Sequence, residues 1–149
     1  MSRFALELLD ATHDRKAFHS RLDTIDLYLK ETARGHADKG VSLTRVLVGP
    51  DATPPKPILG YFTLTSCMVE AAGWPVVPQG LPRNPLGAIL LGRMGVAKSM
   101  LGAGIGTRLL ALVVSNSQTA GLSDLSLTRA FLLANCQLIG FGFSFFLSR

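Results

Sequence analysis

The chain has 149 residues, the length of one domain that can bury its own core, so we treat residues 1–149 as a single unit. Its 15 Lys and Arg against 10 Asp and Glu give a net charge of +5, which favours an anionic partner such as RNA or a phosphorylated cofactor. Cys67 and Cys136 are too few for a disulfide scaffold and no apolar leader opens the chain, which argues against a secreted protein and favours a cytoplasmic one.

The N-terminal part predicts a strand followed by a helix. Phe4, Leu6 and Leu8 alternate along a strand that ends at Asp10. From Arg21 to about Ala37, apolar residues recur at helical spacing, with acidic residues early and basic residues late, as the helix dipole prefers. The apolar face consists of Leu22, Ile25, Leu29 and Ala33.

An antiparallel pair of strands is predicted next. Ser42 to Val48 has the pattern of one strand, and Ile58 to Glu70 is long enough for a continuous or bulged strand that returns beside it. The loop between them, Pro50 to Pro57, is rich in proline. Tyr61 and Phe62 are adjacent and are therefore expected on opposite faces of the second strand.

A long loop is predicted between Gly73 and Pro85. It contains four prolines, which fix φ and lack a backbone donor. Loops of this length are usually functional or mobile. Trp74 is either a lid side chain over a ligand or an anchor that holds the loop to the body, and the anchor is the commoner use of such a residue.

Residues 88–114 have the most distinctive pattern, a buried strand, a glycine-rich turn and an amphipathic helix. The apolar run at Ile89 to Leu91 is interrupted by Gly92 and resumes at Met94 and Val96. This pattern suits a central strand whose backbone is approached closely by another group. After the turn, apolar residues return at helical spacing.

Three glycines, Gly102, Gly104 and Gly106, lie at the start of this helix, which is expected to run to about Gln118. Without Cβ atoms they can adopt positive φ and direct successive N–H groups into one concavity at the positive end of the helix dipole, where a phosphate or pyrophosphate binds. Neither the dinucleotide pattern G-x-G-x-x-G nor the P-loop pattern is completed. Two interpretations therefore stay open, a site for a diphosphate-bearing ligand and a plain strand-to-helix turn.

The sequence changes character after Val113, because only Asp124, Arg129 and Arg149 among the charged residues lie beyond it. A further strand is predicted within Leu125 to Ala134. The apolar tail that follows has three interpretations: a buried strand in the domain or in a dimer, an interfacial or membrane segment, and a sequence altered by a frame change or a truncation. Polar and glycine interruptions make the membrane the least favoured of these.

Three motifs occur in a characteristic order. Phe18 to Ala33 contains l-D-x-[YW]-L-[KR], Ile58 to Leu64 is similar to v-x-G-Y-Y-x-L, and Leu91 to Val96 is similar to L-G-R-L-A-V. Over about residues 3–114 the chain thus resembles the GNAT superfamily of N-acetyltransferases and, within it, the acetyltransferase toxins of bacterial type II toxin–antitoxin systems. The resemblance implies an α/β fold with a mixed, mostly antiparallel central sheet, helices on both faces and a shortened or altered C-terminal part.

The resemblance also implies acetyl-coenzyme A (acetyl-CoA) as the cofactor. The superfamily motif [QR]-x-x-G-x-[GA] falls on Leu101 to Gly106, with Leu101 in place of Gln or Arg and Ala103 in a position that is often basic. The main-chain N–H groups that contribute most of the binding are kept, and the strand backbone would pair with the pantetheine arm. The implied cofactor-binding residues are Met94, Gly95, Val96, Leu101, Gly102, Ala103, Gly104, Ile105, Gly106 and Thr107.

In the related toxins the accepting amine belongs to an aminoacyl-tRNA, and a tyrosine in an F-Y-x-x-x-G-F string protonates the leaving thiolate. The nearest string here, Asn135 to Phe141, has Cys136 in the position of that tyrosine. Glu70, at the end of a predicted strand, is a second candidate that could help to deprotonate an amine. The expected function is a toxin-like N-acetyltransferase of aminoacyl-tRNA; the alternative is an inactive relative that binds CoA or an antitoxin.

Partners implied by the same resemblance are a small DNA-binding antitoxin and a second copy of the chain in a homodimer. No metal is expected, because His13, His19 and His36 lack metal-ligand spacing and an obvious carboxylate couple. We expect these histidines on the surface or on helix faces. The basic side chains of the first 45 residues would suit a tRNA backbone, and ordinary solubilising charge explains them nearly as well.

Overall fold

The computed structural model of the chain describes residues 3–69, 86–119 and 132–134. Its elements, in chain order, are β1 (Ala5–Leu8), β2 (His13–Asp14), α1 (Asp23–Leu27), a π-helical segment (Tyr28–Thr32), α2 (Ala33–Asp38), β3 (Leu43–Val48), β4 (Lys56–Pro57), β5 (Gly60–Val69), β6 (Leu86–Val96), a 3₁₀ turn (Lys98–Met100), α3 (Ile105–Thr119) and β7 (Leu132–Ala134). The predicted order of strands and helices is confirmed.

Five strands form one sheet in the order β1-β3-β5-β6-β7. The pairs β1–β3, β3–β5 and β5–β6 are antiparallel, whereas β6 and β7 are parallel. The mixed, mostly antiparallel sheet expected from the sequence is therefore confirmed. The predicted loop between Gly73 and Pro85, with Trp74, lies outside the described residues, as does most of the predicted strand within Leu125 to Ala134.

Helices cover both faces of this sheet, and β5 contributes to each face. Tyr61 and Phe62 are both fully buried, yet they belong to different core clusters, because adjacent strand residues point to opposite sides. Tyr61 packs with Ile25 and Leu29 of the helical stretch 23–38. Phe62 packs with the face of α3.

We call the first of these groups the α1-side cluster. It consists of Leu9, Phe18, Ile25, Tyr28, Leu29, Ala33, Val46, Val48, Ile58, Tyr61 and Ala97. The predicted helix from Arg21 to about Ala37 is present, but it widens into a π-helical segment at its centre. There Arg15 Nη1 donates a hydrogen bond to the Lys30 carbonyl at 2.9 Å, so one backbone acceptor in this segment has a side-chain partner.

The second group, the α3-side cluster, is built on the apolar face of α3. Its buried members are Leu47, Phe62, Leu64, Leu91, Ile105, Leu109 and Val113. Gly60 lets this helix approach the sheet, because a Cβ there would lie 2.8 Å from Leu109 Cδ1 and 3.1 Å from the Gly95 carbonyl oxygen. The spacing of Ile105, Leu109 and Val113 in the sequence is thus the spacing of one buried helix face.

The expectation that His13 lies at the surface was wrong. Its side chain is fully buried, with Nε2 at 2.9 Å from Glu7 Oε2. Lys56 Nζ donates to the same carboxylate at 2.7 and 2.9 Å. The parallel bridge between β2 and β4 pairs His13 with Lys56, and this contact joins residues that are far apart in the chain. By contrast, the His19 side chain is 67% exposed, as expected.

Candidate functional site

One edge of β6 is unpaired beside the residues implied to bind the cofactor. The other edge pairs with β5 as far as Val96, which lies opposite Gly60. On the near edge, β7 pairs with β6 only at Ile89–Leu91. Within the described residues, the segment Gly92–Val96 therefore has no strand on this side. An extended ligand can hydrogen-bond to such an edge as an added strand does.

Gly92 forms a bulge at the start of this unpaired edge. Thr63 pairs with Arg93, whereas the next residue of β5 pairs with Leu91, so Gly92 has no residue opposite it. A Cβ at Gly92 would lie 3.8 Å from the Thr63 carbonyl oxygen, which is an ordinary contact. Packing within the chain therefore does not require glycine at position 92, and the bulge lets Leu91 and Met94 share the α3-side face.

Gly95 lies where α1 packs closely against the sheet. A Cβ there would be 2.6 Å from Ile25 Cγ2 and 3.2 Å from Tyr61 Cε1. The Tyr61 hydroxyl donates to the Ile25 carbonyl at 2.7 Å, and the Tyr61 ring meets Phe18 edge to face with centroids 5.5 Å apart. Packing alone therefore demands glycine at position 95, and only its main chain is available to a ligand on the unpaired edge.

The glycine-rich turn connects this edge to α3. Gly102 and Gly104 have φ values of +80° and +74°, in the left-handed region that favours glycine. A Cβ at either position would meet nothing within 4 Å, so backbone conformation and not crowding requires glycine here. Gly106 differs from the expectation, because it lies within α3 and its φ is not positive.

The N–H groups at the start of α3 point out of the helix end. The N–H of Arg108 is the first to bond back into the turn, to the Gly104 carbonyl at 3.1 Å. The N–H groups of the preceding helical residues have no partner within the helix and form the positive end of its dipole. This arrangement suits a phosphate or pyrophosphate, so the turn does more than reverse the chain direction.

Side chains in the turn contribute little polar chemistry. Leu101, Gly102, Ala103, Gly104 and Thr107 are exposed. Ile105 is buried to 1% exposure in the α3-side cluster, so only its main chain can contact a ligand. The hydroxyl of Thr107 is thus the one polar side chain among the implied residues Leu101 to Thr107.

A cavity of about 310 Å³ borders the segment between the edge and the turn. Its lining includes Phe18, His19, Ala97, Lys98 and Ser99. It includes neither the unpaired edge nor the glycines of the turn, and a second cavity of about 570 Å³ lies along the proline-rich loop. We place the site at the unpaired edge and the glycine turn. The edge can hydrogen-bond to an extended ligand and the turn can bind its phosphates, whereas neither cavity is lined by both features.

Catalytic candidates from the sequence cannot be placed against this geometry. Glu70 and Cys136 both lie outside the described residues. The two tyrosines of the chain have structural partners: Tyr61 donates to the Ile25 carbonyl, and the Tyr28 hydroxyl lies 3.2 Å from His36 Nδ1 and 3.3 Å from Ser42 Oγ. Burial also raises the pKa of the Tyr61 phenol well above its ordinary value, which opposes ionisation.

No group of three or more His, Cys, Asp or Glu that could hold a metal ion occurs within residues 3–69, 86–119 and 132–134. In the same ranges, no helix has both the length and the apolar character that crossing a membrane requires.

Comparisons with known proteins agree with this geometry. No protein-family model matches the chain. Among solved structures, AtaT complexed with acetyl-methionyl-tRNAfMet is 24% identical, with a TM-score of 0.71 over 81% of this chain and 72% of AtaT. AtaTR bound with acetyl-CoA is 25% identical, with a TM-score of 0.68 over 80% and 71%. A tyrosine-to-phenylalanine mutant of KacT is 25% identical, with a TM-score of 0.72 over 81% and 72%.

AtaT and KacT are acetyltransferase toxins of toxin–antitoxin systems. Their likeness covers about four fifths of this chain. The alternation of strands and helices, the bulged β6 and the turn before α3 therefore belong to a known architecture. The chain has the GNAT acetyltransferase fold and resembles, among proteins of that fold, the acetyltransferase toxins of toxin–antitoxin systems.

Proposed function

We propose that the chain is a toxin-like N-acetyltransferase that binds acetyl-CoA and acetylates the amine of aminoacyl-tRNA. The observation that supports this most is the continuity of the unpaired edge Gly92–Val96 with the turn at Gly102 and Gly104. A pyrophosphate on the turn and an extended arm along the edge are the two parts of one cofactor. AtaTR, a similar structure, contains acetyl-CoA.

In this proposal, the N–H groups at the start of α3 hold the pyrophosphate, with Thr107 beside them. The main chain of Met94, Gly95 and Val96 pairs with the pantetheine arm. The cofactor supplies an acetyl thioester, which an amine can attack. Leu101 and Ala103 offer no charged contact, so we expect main-chain donors to contribute most of the affinity.

The acceptor is proposed to be an aminoacyl-tRNA, because AtaT was solved with acetyl-methionyl-tRNAfMet and the net charge of this chain is +5. An antitoxin partner is proposed for the same kind of reason, since a mutant of AtaT was also solved bound to the C-terminus of the antitoxin AtaR. A homodimer and a cytoplasmic location complete the proposal, and both derive from the resemblance of the sequence to the toxins.

A catalytically inactive relative that binds CoA or an antitoxin is the second candidate. It is favoured by Cys136, which stands where the family places a proton-donating tyrosine, and by the structural partners of Tyr28 and Tyr61. In this case the unpaired edge and the turn would keep their binding role, and no acetyl group would be transferred.

Two measurements test the proposal and separate the candidates. Calorimetric titration of the purified chain with acetyl-CoA is expected to show one-to-one binding. Desulfo-CoA, which keeps the diphosphate, serves as the second ligand in this titration. Incubation of charged tRNA with labelled acetyl-CoA is expected to place label on the amino acid. Binding without transfer would establish the inactive relative that binds CoA. Absence of acetyl-CoA binding would rule out the acetyltransferase and leave only an inactive relative that binds an antitoxin.

A further inference from the structure

Arg93 is an exposed cation whose position is fixed by an aromatic ring. Its guanidinium carbon lies 4.0 Å from the centroid of the Tyr28 ring, within the range of a cation–π contact. Tyr28 is itself buried, and its hydroxyl lies within hydrogen-bonding distance of His36 and Ser42. The Tyr28 ring is therefore held by its own contacts, and it favours one position of the Arg93 guanidinium.

This fixed charge has no acidic partner in the part of the chain that the structure describes. The ion pairs found there join Glu7, Asp10 and Asp26 to histidines and a lysine, and none of them includes Arg93. A guanidinium presents five N–H donors in a planar fork that matches a phosphate or carboxylate. Arg93 thus combines fixed orientation, exposure and donors that remain free for an anion.

The position of Arg93 along β6 decides which anion can reach it. β7 pairs with β6 as far as Leu91, Gly92 forms the bulge, and Arg93 is the first residue after it. The glycine turn lies beyond the opposite end of the unpaired edge. A cofactor with its diphosphate on the turn and its arm along Val96 and Met94 would therefore bring its thioester end, and not its phosphates, towards Arg93.

The length of the strand also keeps Arg93 away from the phosphates on the turn. From Val96 to Arg93 the strand advances three residues, which is about 10 Å, and the turn lies further still. The guanidinium also lies on the α1 side, over Tyr28, whereas the turn leads into α3 on the other face of the sheet. The cofactor's phosphates therefore lie away from Arg93, and the acceptor is the proposed ligand that approaches the thioester end.

We propose that Arg93 is a specificity-determining residue that binds the phosphate of the 3′-terminal nucleotide of an aminoacyl-tRNA acceptor. This inference rests on the proposed function and adds to it a recognition element for the acceptor. In an aminoacyl-tRNA the reacting amine is joined through an ester to the terminal ribose, and the same ribose carries a 5′-phosphate. The number of bonds between this phosphate and the reacting amine is therefore the same for nearly every amino acid that the tRNA carries.

Tyr28 acts through Arg93 and is a positioning residue. Replacing Tyr28 by Phe keeps the ring and the cation–π contact, whereas replacing it by Leu removes the ring face. Tyr28→Phe is therefore expected to retain recognition of the phosphate, and Tyr28→Leu is expected to lose part of it. A purely structural role of Tyr28 would make the two variants lose affinity for all ligands alike.

The test compares two ligands that differ in one phosphate. Non-hydrolysable 3′-aminoacylamino-adenosine, with and without its 5′-phosphate, is titrated into the wild-type chain, Arg93→Ala and Arg93→Lys. Arg93→Ala is expected to lower the affinity for the phosphorylated ligand about tenfold or more, because hydrogen bonds to charged groups are the strong ones. The affinity for the ligand without the phosphate is expected to stay unchanged. Arg93→Lys keeps the charge but loses the fork, so we expect an intermediate loss.

Arg108→Ala is the matched control. The Arg108 guanidinium also lies over an aromatic ring, 5.1 Å from the centroid of Phe4, but on α3 and against the α3-side cluster. Its removal changes the net charge equally and is expected to leave the discrimination between the two ligands unchanged. Equal loss in the two variants would assign the effect to overall charge and overturn the inference.

Two further outcomes decide the matter. If the wild-type chain binds both ligands equally, or if Arg93→Ala weakens both equally, Arg93 does not recognise the phosphate. The proposed function is judged separately by the acetyl-CoA titration. A chain that prefers the phosphorylated ligand but binds no acetyl-CoA would keep the Arg93 site and lose the acetyltransferase proposal, and the reverse result would keep only the latter.

Discussion

Two glycine positions in the same stretch of chain are required by different physical demands. Gly95 is buried, and a Cβ there would collide with Ile25 at 2.6 Å. Gly104 is exposed, with open space around it, but has a φ of +74°. The first glycine lets a helix pack on the sheet and the second shapes a loop for a ligand. A substitution at the first should therefore reduce stability, and one at the second should reduce binding as well.

The largest effect is expected from Gly95→Ala. The added Cβ must displace Ile25 or the Tyr61 ring, and overpacking of this kind destabilises a fold by about 1–3 kcal/mol. Urea unfolding followed by circular dichroism measures the loss. In the double variant Gly95→Ala with Ile25→Ala the obstructing Cγ2 is absent, so the combined loss should be smaller than the sum of the single losses. Additive losses would mean that the contact at Gly95 is not the cause.

A smaller loss of stability, with a distinct loss of binding, is expected from Gly104→Ala. A non-glycine residue in the left-handed region costs about 1–2 kcal/mol, and relaxation of the turn would misplace the N–H groups before α3. We expect acetyl-CoA affinity, measured by calorimetry on the folded variant, to fall about tenfold or more. Gly35→Ala is the control, because Gly35 has open space around it and no positive φ. Equal affinity in both variants would contradict a binding role of the turn.

Tyr61→Phe tests the packing around Gly95 without adding a Cβ. It removes the buried hydrogen bond to the Ile25 carbonyl and keeps the ring that contacts Phe18. The expected loss in the free energy of unfolding is about 0.5–1.5 kcal/mol, with acetyl-CoA affinity unchanged. Tyr28→Phe serves for comparison, because the contacts of its hydroxyl are longer, at 3.2 and 3.3 Å, and only partly buried. A smaller loss for Tyr61→Phe than for Tyr28→Phe would be the contrary result.

The smallest effect is expected at the contact of β1 with β4, away from both glycines. The Lys56 ammonium, and then His13, hold the pKa of Glu7 below its ordinary value of 4.5. A carboxylate with a lowered folded-state pKa contributes stability above its unfolded value and loses that contribution as the pH falls through the folded value. We therefore expect stability to decline below about pH 4.5, the ordinary value of this group.

The variant Glu7→Gln should flatten part of this acid slope. High salt should have a similar effect on the wild type, since the Glu7 side chain is 31% exposed and its ion pair is screened by solvent. Stability curves measured from neutral to acidic pH test both statements. Identical slopes for the wild type and Glu7→Gln would show that this carboxylate does not take part.

Much of the fold could be predicted because its determinants are local. The apolar alternation of Phe4, Leu6 and Leu8, the helical spacing along α3 and the glycines before α3 each depend on residues within a few positions of one another. The three motifs in their characteristic order were enough to identify the resemblance to the acetyltransferase toxins. This resemblance also identified the turn and the strand that form the candidate site.

By itself, the sequence determined the order of the main elements and the glycine-rich turn before α3, and its resemblance to a family implied the cofactor. It did not tell Gly106, which lies within α3, from the two glycines with positive φ. Only the tertiary structure decided the burial of His13 against Glu7, the bulge at Gly92 and the place of Arg93 over Tyr28. These depend on register and on contacts between distant parts of the chain, which no local pattern records. Local residue types thus determine the shape of the stretch from β6 to α3. The elements packed around it determine its unpaired edge and the position of Arg93.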